Sequence, residues 1–200
     1  APFVNLAANQ NIEEKRLFVK NRISSNDNIQ IAAIGTGIMG HHNMDTALKI
    51  PGIELVAACD LYDGRLNHVK EKYGQHINTT RDYRELLIRK DIDAVLISTA
   101  DLWHARIAMD ALQSGKHVYC EKPMVKLISE GLPLIKKQKE TNKVLQVGSQ
   151  PVSGLAVAKA RELYQAGEIG KLNCIEAAYD RQSALGAWQY TIPTDASPES

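Results

Sequence analysis

The run Ile31-Ala32-Ala33-Ile34 leads directly into Gly35-Thr36-Gly37-Ile38-Met39-Gly40, and this order constrains the fold more than any other feature of the chain. A short apolar run ending in Gly-x-Gly-x-x-Gly reads as a buried strand, a tight turn and the start of a helix. Gly35 serves the turn. Gly37 has no side chain, so a phosphate can approach the backbone, and Gly40 lets the helix pack closely on the sheet. The helix N-terminus then offers unpaired N–H groups and a partial positive charge to a pyrophosphate. Alone the motif is weak evidence. Here a second apolar run, 53–59, ends at Asp60, about twenty positions past Gly40, where a carboxylate can accept from adenosine ribose hydroxyls. The loop residues Gly35, Thr36, Gly37, Ile38, Met39 and Gly40 are therefore expected to bind a dinucleotide. The plainer alternative for Asp60 is a solvated strand-end carboxylate or a helix cap. A carboxylate there repels a ribose 2′-phosphate, which favours NAD over NADP; Arg65, close behind, can soften that repulsion.

From Ile29 onward, short apolar runs alternate with amphipathic segments. Strands are expected at 29–34, 53–59, 94–98, 118–120 and 144–147, and helices at 39–50, 63–73, 81–89, 102–114 and 129–141. Strands apolar on both faces and separated by helices predict an α/β fold: a doubly wound, Rossmann-type parallel sheet, covered on both sides. Gly115 is placed to stop the fourth helix. Ser129 is a candidate cap for the fifth, with Pro133 near its first turn. Residues 1–28 read as an N-terminal extension with helical character at 12–20, then a polar breaker. The sheet domain covers 29–149. Residues 150–200 read as the start of a second α/β domain, with a helix at 152–166, a strand at 172–179, and a tail containing Trp188, Tyr190, Pro193 and Pro198.

The 94–98 strand runs into Thr99-Ala100-Asp101-Leu102-Trp103-His104, and the 118–120 strand into Glu121-Lys122-Pro123. Ligands of open α/β sheets sit beyond the carboxyl ends of the strands, so both loops lie on the binding rim. Ser98, Thr99, Ala100 and His104 are placed to cover the reactive half of the dinucleotide. Oxidising an alcohol needs a hydride acceptor and a group that takes the hydroxyl proton. A lysine in water holds its proton too tightly for that work, and partial burial beside a cation makes one usable. Lys122 is the candidate general acid/base, and Glu121 is placed to orient the lysine or the cofactor. The alternative is an ordinary surface lysine after a strand. A cis Lys122–Pro123 bond is compatible with the sequence and not dictated by it. His104 can instead be a packing or capping histidine. Trp103 can wall the cleft or fill an interdomain seam, and His41 and His42 read as helix-surface residues.

Composition excludes other classes. The chain has 200 residues, 44% hydrophobic and 24% charged, with net charge +1, so nothing points to nucleic acid. No apolar run approaches the roughly 20 residues of a membrane span. Cys59, Cys120 and Cys174 are widely spaced and odd in number, without metal-site or disulfide spacing; Cys59 and Cys120 read as small core residues.

Together the glycine loop, Asp60, the Thr99–His104 loop, Gly115-Lys116-His117-Val118 and Glu121-Lys122-Pro123 resemble the Gfo/Idh/MocA oxidoreductases, a family that includes glucose–fructose oxidoreductase and inositol dehydrogenases. The resemblance runs from about Asn28 to the end. It implies a Rossmann domain followed by an open-sheet α/β substrate domain, NAD(P) as cofactor, a carbohydrate or polyol substrate, and Lys122 in the place of the family's lysine. The family's Thr-Pro-x-x-x-His loop is altered, with Ala100 in place of proline. Gly148-Ser149-Gln150 and Gly186-Ala187-Trp188 resemble a branch that contains exported members and NAD-dependent glycosidase-like proteins, which adds Gln150 to the expected cofactor contacts. That branch implies periplasmic location after a removed twin-arginine signal, with a cytoplasmic location as the other reading. The family's second catalytic element falls beyond Ser200, so this chain is expected to bind dinucleotide yet turn over poorly alone. Homo-oligomerisation of the full-length protein is a further implication. The competing functions are a dehydrogenase of sugars or cyclitols, a glycosidase that oxidises transiently and eliminates, and a non-catalytic dinucleotide-binding module.

Overall fold

A computed structural model of the chain describes residues 28–178 and 193–196. The expected helix at 12–20 and the segment around Trp188 and Tyr190 lie outside these residues. Within them the order is β1 (Ile29–Ile34), α1 (Ile38–Ala47), β2 (Ile53–Cys59), α2 (Asp63–Tyr73), β3 (Asn78–Thr80), α3 (Tyr83–Leu87), β4 (Ala94–Ile97), α4 (Asp101–Gln113), β5 (His117–Glu121), α5 (Ile128–Thr141), β6 (Leu145–Gly148) and α6 (Leu155–Gln165). The six strands form one sheet in the order β3-β2-β1-β4-β5-β6, and every pairing is parallel. This is the doubly wound arrangement whose strand order reverses beside β1, where dinucleotides bind.

The last four residues of β1, Ile31–Ile34, are apolar without alternation because they are buried on both faces. Ala32 and Ile34 point into one core cluster, with Val95, Ile97, Val118 and Cys120. Ile31 and Ala33 point into the opposite one, with Met44, Leu55 and Val69. A parallel strand buried on both faces can spare no polar position. α4 lays Ile107, Ala108, Ala111 and Leu112 against the first cluster; its small residues let helix and sheet approach closely. Gly115, φ +77°, ends α4 in the left-handed conformation that favours glycine.

Several boundaries differ from expectation for identifiable reasons. β3, Asn-Thr-Thr, is a short polar edge strand defined by pairing with β2. α3 is shorter than 81–89. Asp82 caps its start by accepting from Arg84 N–H at 2.9 Å, and its end tightens at Arg89 N–H to Leu86 C=O. The cap of α5 is not Ser129. Leu127 holds that position, and the Glu130 carboxylate reaches back to the N–H groups of Lys126 and Leu127 at 3.1 and 2.9 Å. The helix expected at 152–166 is divided: Gln150–Ser153 forms a 3-10 turn containing Pro151, and Gly154 is extended before α6. No residue of α6 is buried. Residues 172–178 pair with no strand among the described residues, so the expected 172–179 strand is not formed there; Tyr179 lies outside. Asp195 accepts from Gly64 N–H at 2.8 Å, satisfying a free donor in the first turn of α2, whose Tyr62 cap provides no side-chain bond.

Candidate functional site

Three glycines of the loop differ in what they tolerate. A Cβ on Gly35, φ +87°, would stand 2.6 Å from Ser98 O, and one on Gly40 would stand 2.1 Å from Gly35 O. These two glycines are required by the fold itself. At Gly37 the nearest atoms belong to the flexible Arg65 guanidinium, at 3.6–3.8 Å, so no packed backbone closes the space above this glycine. α1 starts directly after Gly37, which caps it without a side-chain bond. Ile38 and Met39, in that first turn, are exposed. The bare helix N-terminus, with a guanidinium beside it, fits a pyrophosphate.

Asp60 is buried, which departs from a solvated strand-end carboxylate. Its Oδ2 accepts from the Thr36 N–H at 2.7 Å and from the Thr36 hydroxyl at 3.1 Å. Its Oδ1 accepts from the Tyr62 N–H at 3.1 Å. Arg65 Nη1 lies 3.5 Å from Oδ2, and its guanidinium stands over the Tyr62 ring. Asp60 thus clamps the glycine loop to the end of β2, with one further acceptor direction left on Oδ1. An open cleft of about 700 Å³ begins here, between Asp60, Arg65 and Tyr83 on one side and Ser98, Thr99 and Trp103 on the other. Trp103 is half-exposed and walls this cleft. Of the residues singled out from the sequence, Gly35, Asp60, Arg65, Ser98, Thr99 and Ala100 line it.

His104 is placed differently from its loop neighbours. Its ring is buried, with Nδ1 2.7 Å from Pro123 O and Nε2 3.1 Å from Thr99 O. Both ring nitrogens face main-chain carbonyls, and the ring N–H donates to one or the other according to the tautomer. His104 therefore straps the Thr99 loop to the Lys122–Pro123 turn, whose peptide bond is cis.

Lys122 is exposed at the carboxyl end of β5. The partial burial expected of a catalytic lysine is not supplied by the described residues. Glu121 beneath it is 4% exposed. Its Oε1 accepts from Asn43 Nδ2 at 3.0 Å and Gln150 Nε2 at 2.5 Å, with the Tyr119 hydroxyl at 3.4 Å. Its Oε2 accepts from the Lys122 N–H at 3.2 Å. Gln150 also donates to the Tyr119 hydroxyl at 3.0 Å. Burial, then the Glu121 charge, raise the Tyr119 pKa. Burial, reinforced by the neighbouring carboxylates, pushes Cys59 and Cys120 up to about 12, so both are inert thiols of the core.

Asn43 and Tyr119 were not singled out from the sequence. Asn43 is one polar residue in a helix, and nothing in its spacing marks it. For Tyr119 a weak signal existed: it lies two residues before Glu121 on one strand, so the two side chains share a face.

A doubly wound sheet with this loop, clamp and rim lysine defines a dinucleotide-binding oxidoreductase domain. Residues 29–149 match the family described as "Oxidoreductase family, NAD-binding Rossmann fold" (GFO_IDH_MocA), and the chain belongs to that family. It is 29% identical over 174 residues to an inositol 2-dehydrogenase of Salmonella paratyphi B, covering 86% of this chain and 50% of that protein. It is 31% identical over 159 residues to an alpha-N-acetylgalactosaminidase of Shewanella oneidensis, covering 76% of this chain and 35% of that protein. The chain thus spans half or less of the length of these relatives. Among solved structures, it resembles the scyllo-inositol dehydrogenase of Lactobacillus casei with bound NAD(H) and scyllo-inositol. The TM-score is 0.67 at 28% identity, covering 72% of this chain and 42% of that one. The myo-inositol 2-dehydrogenase of Lactobacillus plantarum is equally similar, with TM-score 0.67 and 29% identity over 72% of this chain and 43% of that one.

Proposed function

We propose that this chain forms the cofactor half of an NAD-dependent oxidoreductase that moves hydride between a hydroxyl-bearing carbon of a sugar or cyclitol and nicotinamide, with Lys122 as general acid/base. The observation that carries the reading is the shared rim: the open backbone at Gly37 and the exposed Lys122 both lie at the carboxyl ends of one parallel sheet. The Gly37 turn and the α1 N-terminus hold the pyrophosphate, with Arg65 adding positive charge. Asp60 presents its remaining Oδ1 acceptor direction to a ribose hydroxyl, and a 2′-phosphate there would meet a carboxylate; this favours NAD. When bound, the nicotinamide supplies the hydride acceptor. Lys122 Nζ takes the hydroxyl proton as hydride leaves the adjoining carbon, and returns it in the reverse direction. Bound substrate and cofactor would supply the burial that tunes such a lysine. The inositol dehydrogenase relatives support a polyol substrate.

A second reading is favoured by the glycosidase-named relatives. In it, the same oxidation would be transient: elimination would expel the aglycone, water would add to the resulting unsaturated ketone, and the same hydride would return to the carbonyl carbon, with no net oxidation. The test is a panel of inositols, sugars and glycosides on the full-length protein, with Lys122→Met beside it, preceded by NADH and NADPH titration. Net NADH formation from a polyol, lost by about 10²–10⁴-fold in Lys122→Met, supports the first reading. Glycoside cleavage without net NADH selects the second. Unchanged turnover in Lys122→Met rejects the assignment of the lysine.

A further inference from the structure

Asn43 is a polar side chain in a place where the fold calls for packing. It is 7% exposed, on the face of α1 turned toward the strand ends. Its amide has two hydrogens and two acceptors: Ser98 Oγ at 3.0 Å, at the end of β4, and Glu121 Oε1 at 3.0 Å, at the end of β5. The Glu121 carboxylate is shared between two tasks. Oε1 is anchored by Asn43, Gln150 and the Tyr119 hydroxyl, while Oε2 receives the main-chain N–H of Lys122. A buried carboxylate is held in one orientation only by donors that satisfy its lone pairs. Gly148 belongs to the same arrangement: a Cβ there would stand 2.9 Å from Glu121 Oε1 and 2.8 Å from the Tyr119 hydroxyl oxygen.

We propose that Asn43 is a positioning residue for Lys122, acting through the Glu121 carboxylate, so that the helix that receives the pyrophosphate also sets the turn that carries the lysine. The catalytic meaning of this rests on the proton-transfer role given to Lys122 above; the positioning itself does not. Two hydrogen bonds from one amide tie α1 to β4 and β5. Losing the amide removes one of the three donors to Oε1 named above, and the only one of them that comes from α1, and so loosens the orientation that holds the Lys122 main chain.

The test combines two readouts on the full-length protein. In the first, lysines are acetylated with acetic anhydride at limiting reagent and quantified by mass spectrometry. In Asn43→Ala the labelling rate of Lys122 should change by about threefold or more, while the remote Lys136 and Lys159 keep theirs. Gly148→Ala, which displaces the same carboxylate from the other side, should give the same change, and the double variant no further one. If Asn43→Ala does not fold, the near-isosteric Asn43→Asp, which replaces the donors with a carboxylate, serves in its place. In the second readout, kcat should fall by about 10- to 100-fold while the NADH dissociation constant holds within about threefold. Unaltered Lys122 labelling in folded variants overturns the inference. Altered labelling with no dinucleotide-dependent turnover in the wild type upholds the positioning and rejects the oxidoreductase reading instead.

Discussion

The Asp60 carboxylate accepts two hydrogen bonds from Thr36, one from its backbone N–H at 2.7 Å and one from its hydroxyl at 3.1 Å. Thr36 is the middle residue between the two glycines that turn the chain, so Asp60 shapes the glycine loop as well as bordering the ribose position proposed above. The two jobs are inseparable. Asp60→Ala should therefore weaken NADH and NADPH binding together, by about tenfold or more, and lower stability by about 1–3 kcal/mol through the stranded Thr36 and Tyr62 donors. Fluorescence titration of both cofactors and urea unfolding check this. A variant that binds NADPH more tightly than the wild type binds NADH would show that Asp60 acts only as a specificity gate.

The glycines of the loop should separate folding from binding. Gly40→Ala places a methyl 2.1 Å from Gly35 O, and a clash with backbone in a packed turn should destabilise by about 3 kcal/mol. Gly37→Ala meets only the movable Arg65 guanidinium, so its unfolding midpoint should stay near wild type while NADH affinity falls. Thermal scans paired with NADH titration distinguish the two. Equal loss of stability in both variants would contradict this division.

His104→Phe fills the same space and removes both ring nitrogens. Whichever of Thr99 O and Pro123 O accepts the ring N–H would lose that donor, and the expected destabilisation is about 1–3 kcal/mol by denaturant unfolding. A change below about 0.5 kcal/mol, the range of a neutral surface substitution, would mean that water replaces the ring at no loss.

The other prediction concerns acid. His41 on α1 contacts the Tyr73 hydroxyl at 3.1 Å and stacks on that ring, with His68, Lys72, Asp45 and Arg65 around it. Burial first, then the charges of His68 and Lys72, lower its pKa below 6.5, against the smaller opposing effect of Asp45. Below pH 6.5 the unfolded chain then takes up this proton before the folded one does, so stability falls with pH until the folded pKa is passed. His41→Gln should make the decline below pH 6.5 shallower. An unchanged slope would place the acid sensitivity on other groups.

Legibility in the sequence followed physical cause. α2 agrees with expectation at both ends because its boundaries are local: an acidic first turn at Asp63, Leu66 and Val69 inward, and Gly74 after it. β3 was not legible because Asn-Thr-Thr becomes a strand only through pairing of Ala57–Cys59 with Asn78–Thr80. The glycine loop, Asp60 and Lys122 stood out because each follows the end of an apolar run at a recognisable spacing. Their connections did not: Asn43 meets Glu121 across 78 positions, and His104 meets Pro123 across 19. Such bonds are made by the topology, and a single sequence does not display them. The helix expected at 152–166 was misread for a smaller reason: periodicity runs on through Gly154, while backbone geometry does not.

The strand order has a consequence for how the chain is born. β1 is the first strand of this sheet to be made and lies between β2 and β4, so its second edge stays open until Ile97 has left the ribosome. Roughly sixty residues separate the end of β1 from the end of β4, or about 3–12 s at ~5–20 residues per second. For that interval Ile31, Ala32, Ala33 and Ile34 present an unpaired apolar edge, the kind that recruits other nascent chains. The strand that begins the glycine loop is thus the oldest part of the sheet yet is enclosed only after β2, which is made later, so the pace of translation through β4 sets how long that edge stays open.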